Sequence, residues 1–230
     1  MTPCRLLGAA LMLTCCATAS MAGRPLSTED AGVNPPRQCQ LEAWSDKGSN
    51  TRSNSLAPAC GVADGLELGL QFDRPMPRAT TSETRAMALK WAPDFMEWQG
   101  WRFGAKLATG QERDPSDWRW RSSTWSALGI TSKELAEQLF LHANLGYAKN
   151  QLDEQSSTTY SVALSWTPLN RLQLFTEVVG DNRSPGMPAA GARWWLIPEV
   201  LGLDTIVSRT NTVRDSTVWH IGFGWYGIRF

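Results

Sequence analysis

Residues 66–72 read LELGLQF, and this stretch indicates the fold because apolar and polar side chains alternate strictly along it. In an extended chain its leucines and phenylalanine point to one side, while Glu67, Gly69 and Gln71 point to the other. Such alternation is typical of a strand that is apolar on one face and polar on the other. The same period of two recurs at residues 101–108, 139–147, 160–167 and 171–178. The sequence therefore predicts an antiparallel all-β protein.

The composition favours a transmembrane β-barrel over a soluble sandwich. The chain holds 12 tryptophans in 230 residues, yet its mean hydropathy is only −0.29. In a membrane barrel one side chain in two faces lipid, which lowers the average, and aromatic residues gather at the two interfaces. The polar face carries full charges, which suits a wet interior. The tryptophans predicted at strand ends are Trp91, Trp98, Trp101, Trp166 and Trp195.

Twelve strands are predicted. With an even number of strands, the barrel-forming chain begins and ends on the same side of the membrane. A ten-stranded barrel is the alternative, because Pro58 interrupts the second strand and residues 119–130 alternate irregularly. Short turns are expected on the periplasmic side and longer polar loops on the outer side. The predicted strands are residues 38–46, 54–60, 65–73, 81–92, 98–110, 119–130, 137–149, 157–167, 171–180, 189–197, 203–212 and 217–230.

The first 22 residues have the order of a secretory signal peptide: Arg5, a short apolar run over 6–14, and small residues that end at Ala22. A buried N-terminal helix is the alternative. Export and a final strand that ends in Phe230 predict a bacterial outer-membrane location, with delivery by the barrel-assembly machinery. The predicted division is a signal peptide over 1–22, an N-terminal periplasmic segment or plug over 23–36, and the barrel over 37–230.

Three of the five cysteines lie in the predicted signal peptide, which leaves Cys39 and Cys60. In an exported chain two such cysteines predict one disulfide, which would clamp the first hairpin. Two free thiols are the alternative. The two histidines and these cysteines lack metal-ligand spacing, so neither a metal nor a cofactor is expected. Signal cleavage would leave 21 basic and 22 acidic side chains, a balance that argues against nucleic-acid binding.

If the apolar phase faces lipid, the opposite phase faces the lumen, where charges of both signs alternate. They could line a polar pore, or they could pair and fill the interior, and twelve strands lie between the filled and the open barrels. A narrow or partly plugged lumen is favoured, with Glu29 and Asp30 of the N-terminal segment paired to Arg102 or Lys106. A disordered tail is the alternative. The predicted lumen-lining residues are Glu42, Glu67, Arg102, Lys106, His142, Asn144, Glu177, Arg193 and Asp204.

No catalytic residues are predicted, and the chain is not expected to be an enzyme. A nucleophile, a base and an orienting group must lie within reach of one another. His142 is expected inside the barrel, in the middle of a strand, and His220 lies in the phase opposite Trp219. Local spacing forces no serine beside either histidine. A hydrolase that uses His142 remains an alternative.

Several short motifs follow one another along the mature chain in an order that resembles a known family. They are RPLSTEDAG (24–32), QCQLEAW (38–44), PAC (58–60), LELGL (66–70), LHANLGY (141–147), LFTE (174–177), GARWW (191–195) and LD (203–204). The chain resembles the proteobacterial outer-membrane proteins labelled as belonging to the meta-pathway of phenol degradation. The resemblance is weakest over 74–130. It implies an outer-membrane barrel and uptake of aromatic compounds, and it brings no catalytic residues.

The sequence thus predicts a small outer-membrane barrel that acts as a passive or weakly selective channel for small solutes, aromatic ones among them. Its partners would be the lipid bilayer and those solutes. A solute site, if present, would be the ring of charged lumen residues formed by Glu67, Arg102, Lys106, Glu177, Arg193 and Asp204. The alternatives are a sealed barrel with a structural or interaction role in the envelope, and an outer-membrane hydrolase.

Overall fold

A computed structural model describes residues 26–49, 52–76, 81–210 and 216–230, so the predicted signal peptide lies outside the described residues. Strands account for most of this part of the chain. No helix within it is long and apolar enough to cross a membrane. The strands are β1 (Gln38–Lys47), β2 (Arg52–Ala63), β3 (Leu66–Met76), β4 (Glu83–Trp91), β5 (Glu97–Trp98), β6 (Trp101–Arg113), β7 (Trp120–Ala136), β8 (Leu139–Asn150), β9 (Ser156–Leu169), β10 (Leu172–Asp181), β11 (Met187–Ile197), β12 (Leu201–Thr210) and β13 (Ser216–Arg229).

The strands form one closed antiparallel barrel. Each long strand pairs with the next along the chain, β4 pairs with β6, and β13 returns to pair with β1. The two-residue β5 pairs only with the start of β6 and stands outside the ring. The barrel therefore has twelve strands, as predicted, and the ten-stranded alternative is wrong. Pro58 is accommodated within β2, opposite Leu41 of β1.

The predicted strand limits differ from the observed ones most clearly at β7. This strand continues to Ala136, six residues beyond its predicted end, and Ala136 pairs with Leu139 of β8. Lys133 and Glu134 fall between the predicted strands 119–130 and 137–149. They lie near the rim of the barrel, where water reaches both faces of a strand, so the strand can carry charges on either face there. The turn that follows is only two residues long, and Gln138 adopts a positive φ of 59°.

The apolar phase faces outward, the reverse of a water-soluble protein. Along β9, Val162, Leu164 and Trp166 are exposed, while Ser161 and Ser165 are buried. The other strands repeat this pattern, so a continuous apolar surface surrounds a polar interior. An exterior of this kind is suited to the hydrocarbon of a bilayer. The fold is accordingly a transmembrane β-barrel.

The first barrel strand begins and the last one ends at the same rim, which we call the terminal rim. Gln38 pairs there with Arg229, and Cys39 of β1 is joined by a disulfide to its cross-strand neighbour Cys60 of β2. The predicted disulfide is thus present in the structure. The register of β1 against β13 shifts beside Cys39, where Gly227 has a positive φ of 69°. The opposite end, where β1 gives way to β2 and β12 to β13, is the loop rim.

Candidate functional site

Residues 26–36, which we call the inner segment, cross the interior of the barrel. Ser27 and Thr28 are bound to Glu177 on β10, and Asn34 is bound to Glu67 on β3. In the ring of twelve strands β10 and β3 are six places apart, so they face each other across the lumen. A chain that is tied to both walls must therefore span the diameter of the barrel.

Glu177 is the anchor at one end of the inner segment. Its carboxylate accepts the backbone N–H of Ser27 at 2.9 and 3.0 Å, and that of Thr28 at 2.8 Å. The Thr28 hydroxyl donates a further bond of 2.8 Å. Glu177 is only 4 % exposed. Hydrogen bonds to an ionised group are the stronger kind, so these donors compensate for the burial of its charge.

The middle of the inner segment is held by neutral side chains of β7 and β8. Asn144 accepts the Glu29 N–H at 2.7 Å and donates to the Glu29 carbonyl at 2.9 Å, so it pairs with this backbone as a neighbouring strand would. The Ala31 N–H donates to Ser132 Oγ at 2.8 Å. His142 supports that serine, with Nδ1 2.8 Å from Ser132 Oγ and Nε2 3.3 Å from Ser165 Oγ.

Two lysines from the barrel wall neutralise the acidic residues of the inner segment. Lys90 Nζ on β4 lies 3.0 Å from Asp30 Oδ1 and 3.1 Å from Glu29 Oε2, and Lys106 on β6 is paired with Glu29 Oε1. Burial raises the pKa of Glu29, but the two lysines outweigh it and lower that pKa from 4.5 to about 2. The segment is therefore held by charge as well as by backbone hydrogen bonds.

Lys90 was missed in the sequence, where Arg102 and Lys106 were expected to pair with Glu29 and Asp30. The alternation of the sequence could have identified Lys90 as an inward-facing residue, because it lies between the outward-facing Leu89 and Trp91. Arg102 takes no part in this network. It lies near the terminal rim, with its guanidinium 3.4 Å from Asp94, and its side chain is 37 % exposed.

The inner segment leaves the lumen beside β2 and β3. Glu67 Oε2 accepts the backbone N–H of Asn34 at 2.9 Å and its side-chain amide at 2.8 Å, and the same amide reaches Gln40 at 3.0 Å. Gly61 makes this passage possible. A Cβ at that position would lie 2.1 Å from the carbonyl oxygen of Asn34 and 2.2 Å from that of Pro35.

A second interior cluster, on β1, β11, β12 and β13, is almost completely buried. Arg193, 0 % exposed, binds Asp204 through two bonds of 2.7 and 2.9 Å. Its guanidinium lies 5.0 Å from the ring centres of both Trp195 and Tyr226. The Tyr226 hydroxyl donates to Glu42 at 2.7 Å. These residues fill one side of the barrel.

The nine predicted lumen-lining residues thus divide into three groups. Those bound to the inner segment or supporting it are Glu67, Lys106, His142, Asn144 and Glu177. Those in the second interior cluster are Glu42, Arg193 and Asp204. Arg102 stands apart at the terminal rim.

Among the described residues, the interior of the barrel holds a cavity on each side of the inner segment. A cavity of about 350 Å³ opens beside residues 26–29 and is lined by Glu42, Lys90 and Lys106 among others. One of about 440 Å³ lies toward the terminal rim, beside residues 30–36, Asp64 and Arg102. Gln40 and Glu67 line both. Within the described part of the chain, no group of three or more potential metal ligands occurs.

The closed ring, the apolar exterior and the charged interior define the chain as a transmembrane β-barrel protein with its own N-terminal segment inside the barrel. More particularly, the chain belongs to the family described as "Uncharacterised conserved protein UCP029691", whose model matches residues 10–225. This description names no pathway, so the resemblance to the phenol-degradation proteins stays a prediction at that level. No curated protein sequence matches the chain.

Solved structures of similar fold are outer-membrane proteins of low sequence identity. The KdgM porin matches with a TM-score of 0.65 and 7% identity over 81% of this chain and 98% of its own. The NanC porin gives 0.62 and 9% over the same shares. The outer membrane phospholipase A of Escherichia coli gives 0.51 and 13%, over 84% of this chain and 94% of its own. At these identities the likeness concerns the fold alone.

Proposed function

We propose that this protein is an outer-membrane channel for small polar solutes, and that its lumen is narrowed by the inner segment. The observation that carries the proposal is the presence of cavities of about 350 and 440 Å³ in a charged interior, on either side of the segment. A barrel whose only role is to be closed would be expected to fill its interior with packed side chains and to leave no such cavities.

The passage between the cavities would lie beside Gln40 and Glu67, which line both of them. Glu29, Lys90 and Lys106 place charges of both signs next to this passage, so a polar or zwitterionic solute is favoured over an apolar one. One structure of similar fold is the KdgM porin in complex with disordered oligogalacturonate, at a TM-score of 0.64 and 8% identity. Aromatic solutes, which the family resemblance implies, form the second solute class to be tested.

The proposal includes the orientation and the location of the barrel. After signal cleavage the inner segment would be the N-terminus of the mature protein, and the terminal rim with Phe230 would face the periplasm of a Gram-negative cell. The barrel-assembly machinery would insert it through its final strand. His142 has no catalytic role in this proposal, because it is 1 % exposed and lies between Ser132 and Ser165.

A sealed barrel with a structural role is the second candidate. The observation that favours it is the number of strands that hold the inner segment through side chains, namely β1, β3, β4, β6, β7, β8 and β10. A segment held so widely would leave the lumen only rarely, and the barrel would then be closed for most of the time.

Conductance in planar bilayers tests both candidates. The mature chain, a variant that lacks residues 24–36, and a matched surface variant, Glu137→Gln, are refolded and inserted. The channel proposal expects small conductance steps from the mature chain and from Glu137→Gln, and larger steps after the deletion. Steps that appear only after the deletion would establish the sealed barrel. Silence from all three folded proteins would overturn the channel, and equal steps from all three would overturn the restricting role of the segment.

A further inference from the structure

A chain of hydrogen bonds joins four polar side chains across four successive strands near the loop rim. Ser53 Oγ on β2 donates to Asp46 Oδ2 on β1 at 3.1 Å. Asp46 Oδ1 lies 2.6 Å from His220 Nδ1 on β13. His220 Nε2 lies 2.9 Å from Ser208 Oγ on β12. None of these four residues contributes to the channel proposed above.

We propose that Ser208, His220 and Asp46 form a serine nucleophile site that cleaves small carboxylic esters at the outer mouth of the barrel. The carboxylate on Nδ1 favours the tautomer with its proton on that nitrogen, which leaves Nε2 free to accept the proton of Ser208. A nucleophile bonded to a base that is itself oriented by a third group is the arrangement that acyl transfer requires. Ser53 holds the carboxylate in turn.

The barrel frame makes this arrangement rigid. His220 pairs directly with Asp46 across the β1–β13 ladder, and Asp46 pairs directly with Ser53 across β1–β2. Ser208 lies one diagonal step away, two residues along β12 from Ile206, the direct partner of His220. Backbone hydrogen bonds fix each strand against the next, so the three side chains remain together without a ligand.

The cluster can be reached from solvent, unlike the other histidine of the barrel. The side chain of His220 is 17% exposed and that of Asp46 is 23% exposed, and Ser208 is half-buried. His142 also contacts two serines, but it is buried beneath the inner segment and its hydrogen bonds join it to hydroxyls rather than to a carboxylate. Of the two histidines, both of which lie in the described residues, His220 is the one that combines an orienting carboxylate with access for a substrate.

The reaction runs in two balanced halves. Ser208 Oγ attacks the ester carbonyl carbon while its proton passes to His220 Nε2, and the alcohol leaves with that proton to give an acyl-serine. Water then attacks the acyl carbon and gives a proton to Nε2. That proton returns to Ser208 Oγ as the carboxylic acid departs. Neither oxidant nor metal is required.

A fluorophosphonate probe tests the nucleophile directly. Attack by Ser208 Oγ would form an oxygen–phosphorus bond and expel fluoride, and the adduct is located by peptide mass spectrometry of the folded protein. We expect the label on Ser208, its loss in His220→Gln, and its retention in Ser157→Ala, which removes another half-buried serine near the same rim. Absence of label on Ser208 in the unmutated, folded barrel would overturn the proposal, and this outcome does not depend on how any variant folds.

Hydrolysis of p-nitrophenyl acetate provides the second measurement. We expect Ser208→Ala to lower the hydrolysis rate by about 100-fold or more, because the site loses its nucleophile. Asp46→Asn should lower it by roughly tenfold or more, because the imidazole of His220 loses the carboxylate that orients it. Equal rates for Ser208→Ala and the unmutated chain would contradict the proposal. If the cluster had only a structural role, Ser208→Ala and Asp46→Asn would lower the resistance of the barrel to unfolding. The unmutated chain would then form no adduct at Ser208, and the variants would not differ from it in hydrolysis rate.

Discussion

Glu177→Gln should release the inner segment from the wall of the barrel while the barrel stays folded. The variant keeps the size of the side chain and one acceptor oxygen. It removes the charge, however, and places an amide N–H₂ against the donors of Ser27 and Thr28. Because the anchor is a single residue on β10, the strand itself loses no backbone hydrogen bond.

The expected size of the effect follows from the three donors that share this carboxylate, two backbone N–H groups and one hydroxyl. A hydrogen bond to a charged group contributes roughly 1.5–3 kcal/mol, and bonds that share one acceptor do not add fully. We therefore expect docking of the segment to weaken by about 3 kcal/mol, which raises the released fraction about 100-fold. Part of this loss is offset because the variant no longer buries a carboxylate.

Hydrogen exchange measured by mass spectrometry reports this release peptide by peptide. Amides of residues 26–34 should exchange about 100-fold faster in Glu177→Gln, while peptides from the strands remain protected. Glu137→Gln, an exposed change in the turn between β7 and β8, should leave both unchanged. If the segment exchanged at the same rate in Glu177→Gln and in the unmutated chain, Glu177 would not be its anchor.

Three further predictions concern the charges and the disulfide of the barrel. The folded pKa of Glu29 is depressed from 4.5 to about 2, so its contribution to docking is complete above pH 4.5 and is lost as the pH falls toward 2; exchange of the segment against pH should show this loss, and Glu29→Gln should abolish it. Arg193→Ala leaves the carboxylate of Asp204 buried without its partner, and urea unfolding should show a loss of about 3–5 kcal/mol that the double variant Arg193→Met with Asp204→Leu largely recovers; an unchanged unfolding midpoint in Arg193→Ala would contradict this. Breaking the Cys39–Cys60 bond, which links residues 21 apart, should cost about 3 kcal/mol in the same assay; a double serine variant as stable as the oxidised chain would refute it, and intact mass should rise by two hydrogens on reduction.

The strands could be predicted from the sequence because a membrane barrel imposes a local rule on every residue. Side chains at alternate positions meet lipid or the interior, so Leu164 and Ser165 carry their environments in their chemistry. The rule weakens at the rims, where water reaches both faces, and this is why the end of β7 was placed too early.

The pairing of interior residues could not be predicted in the same way. Alternation shows that Arg193 and Glu177 face inward on neighbouring strands, but the partner of each depends on register. Arg193 stands directly opposite Asp204 in the β11–β12 ladder, and Glu177 instead receives donors from residues 150 positions earlier in the chain. The contacts of Ser208, His220 and Asp46 depend in the same way on the closure of β13 against β1.

By itself, then, the sequence determined the period of two, the direction of each face and the candidate cysteine pair, and it favoured twelve strands over ten, since each of these depends on the spacing of residues along the chain. Only the tertiary structure decided that residues 26–36 lie across the lumen, that Lys90 holds their acidic side chains, and that a serine, a histidine and an aspartate meet at the loop rim. These features depend on the closed barrel, which brings together groups that are distant in sequence, and no local pattern along the chain specifies which of them will meet.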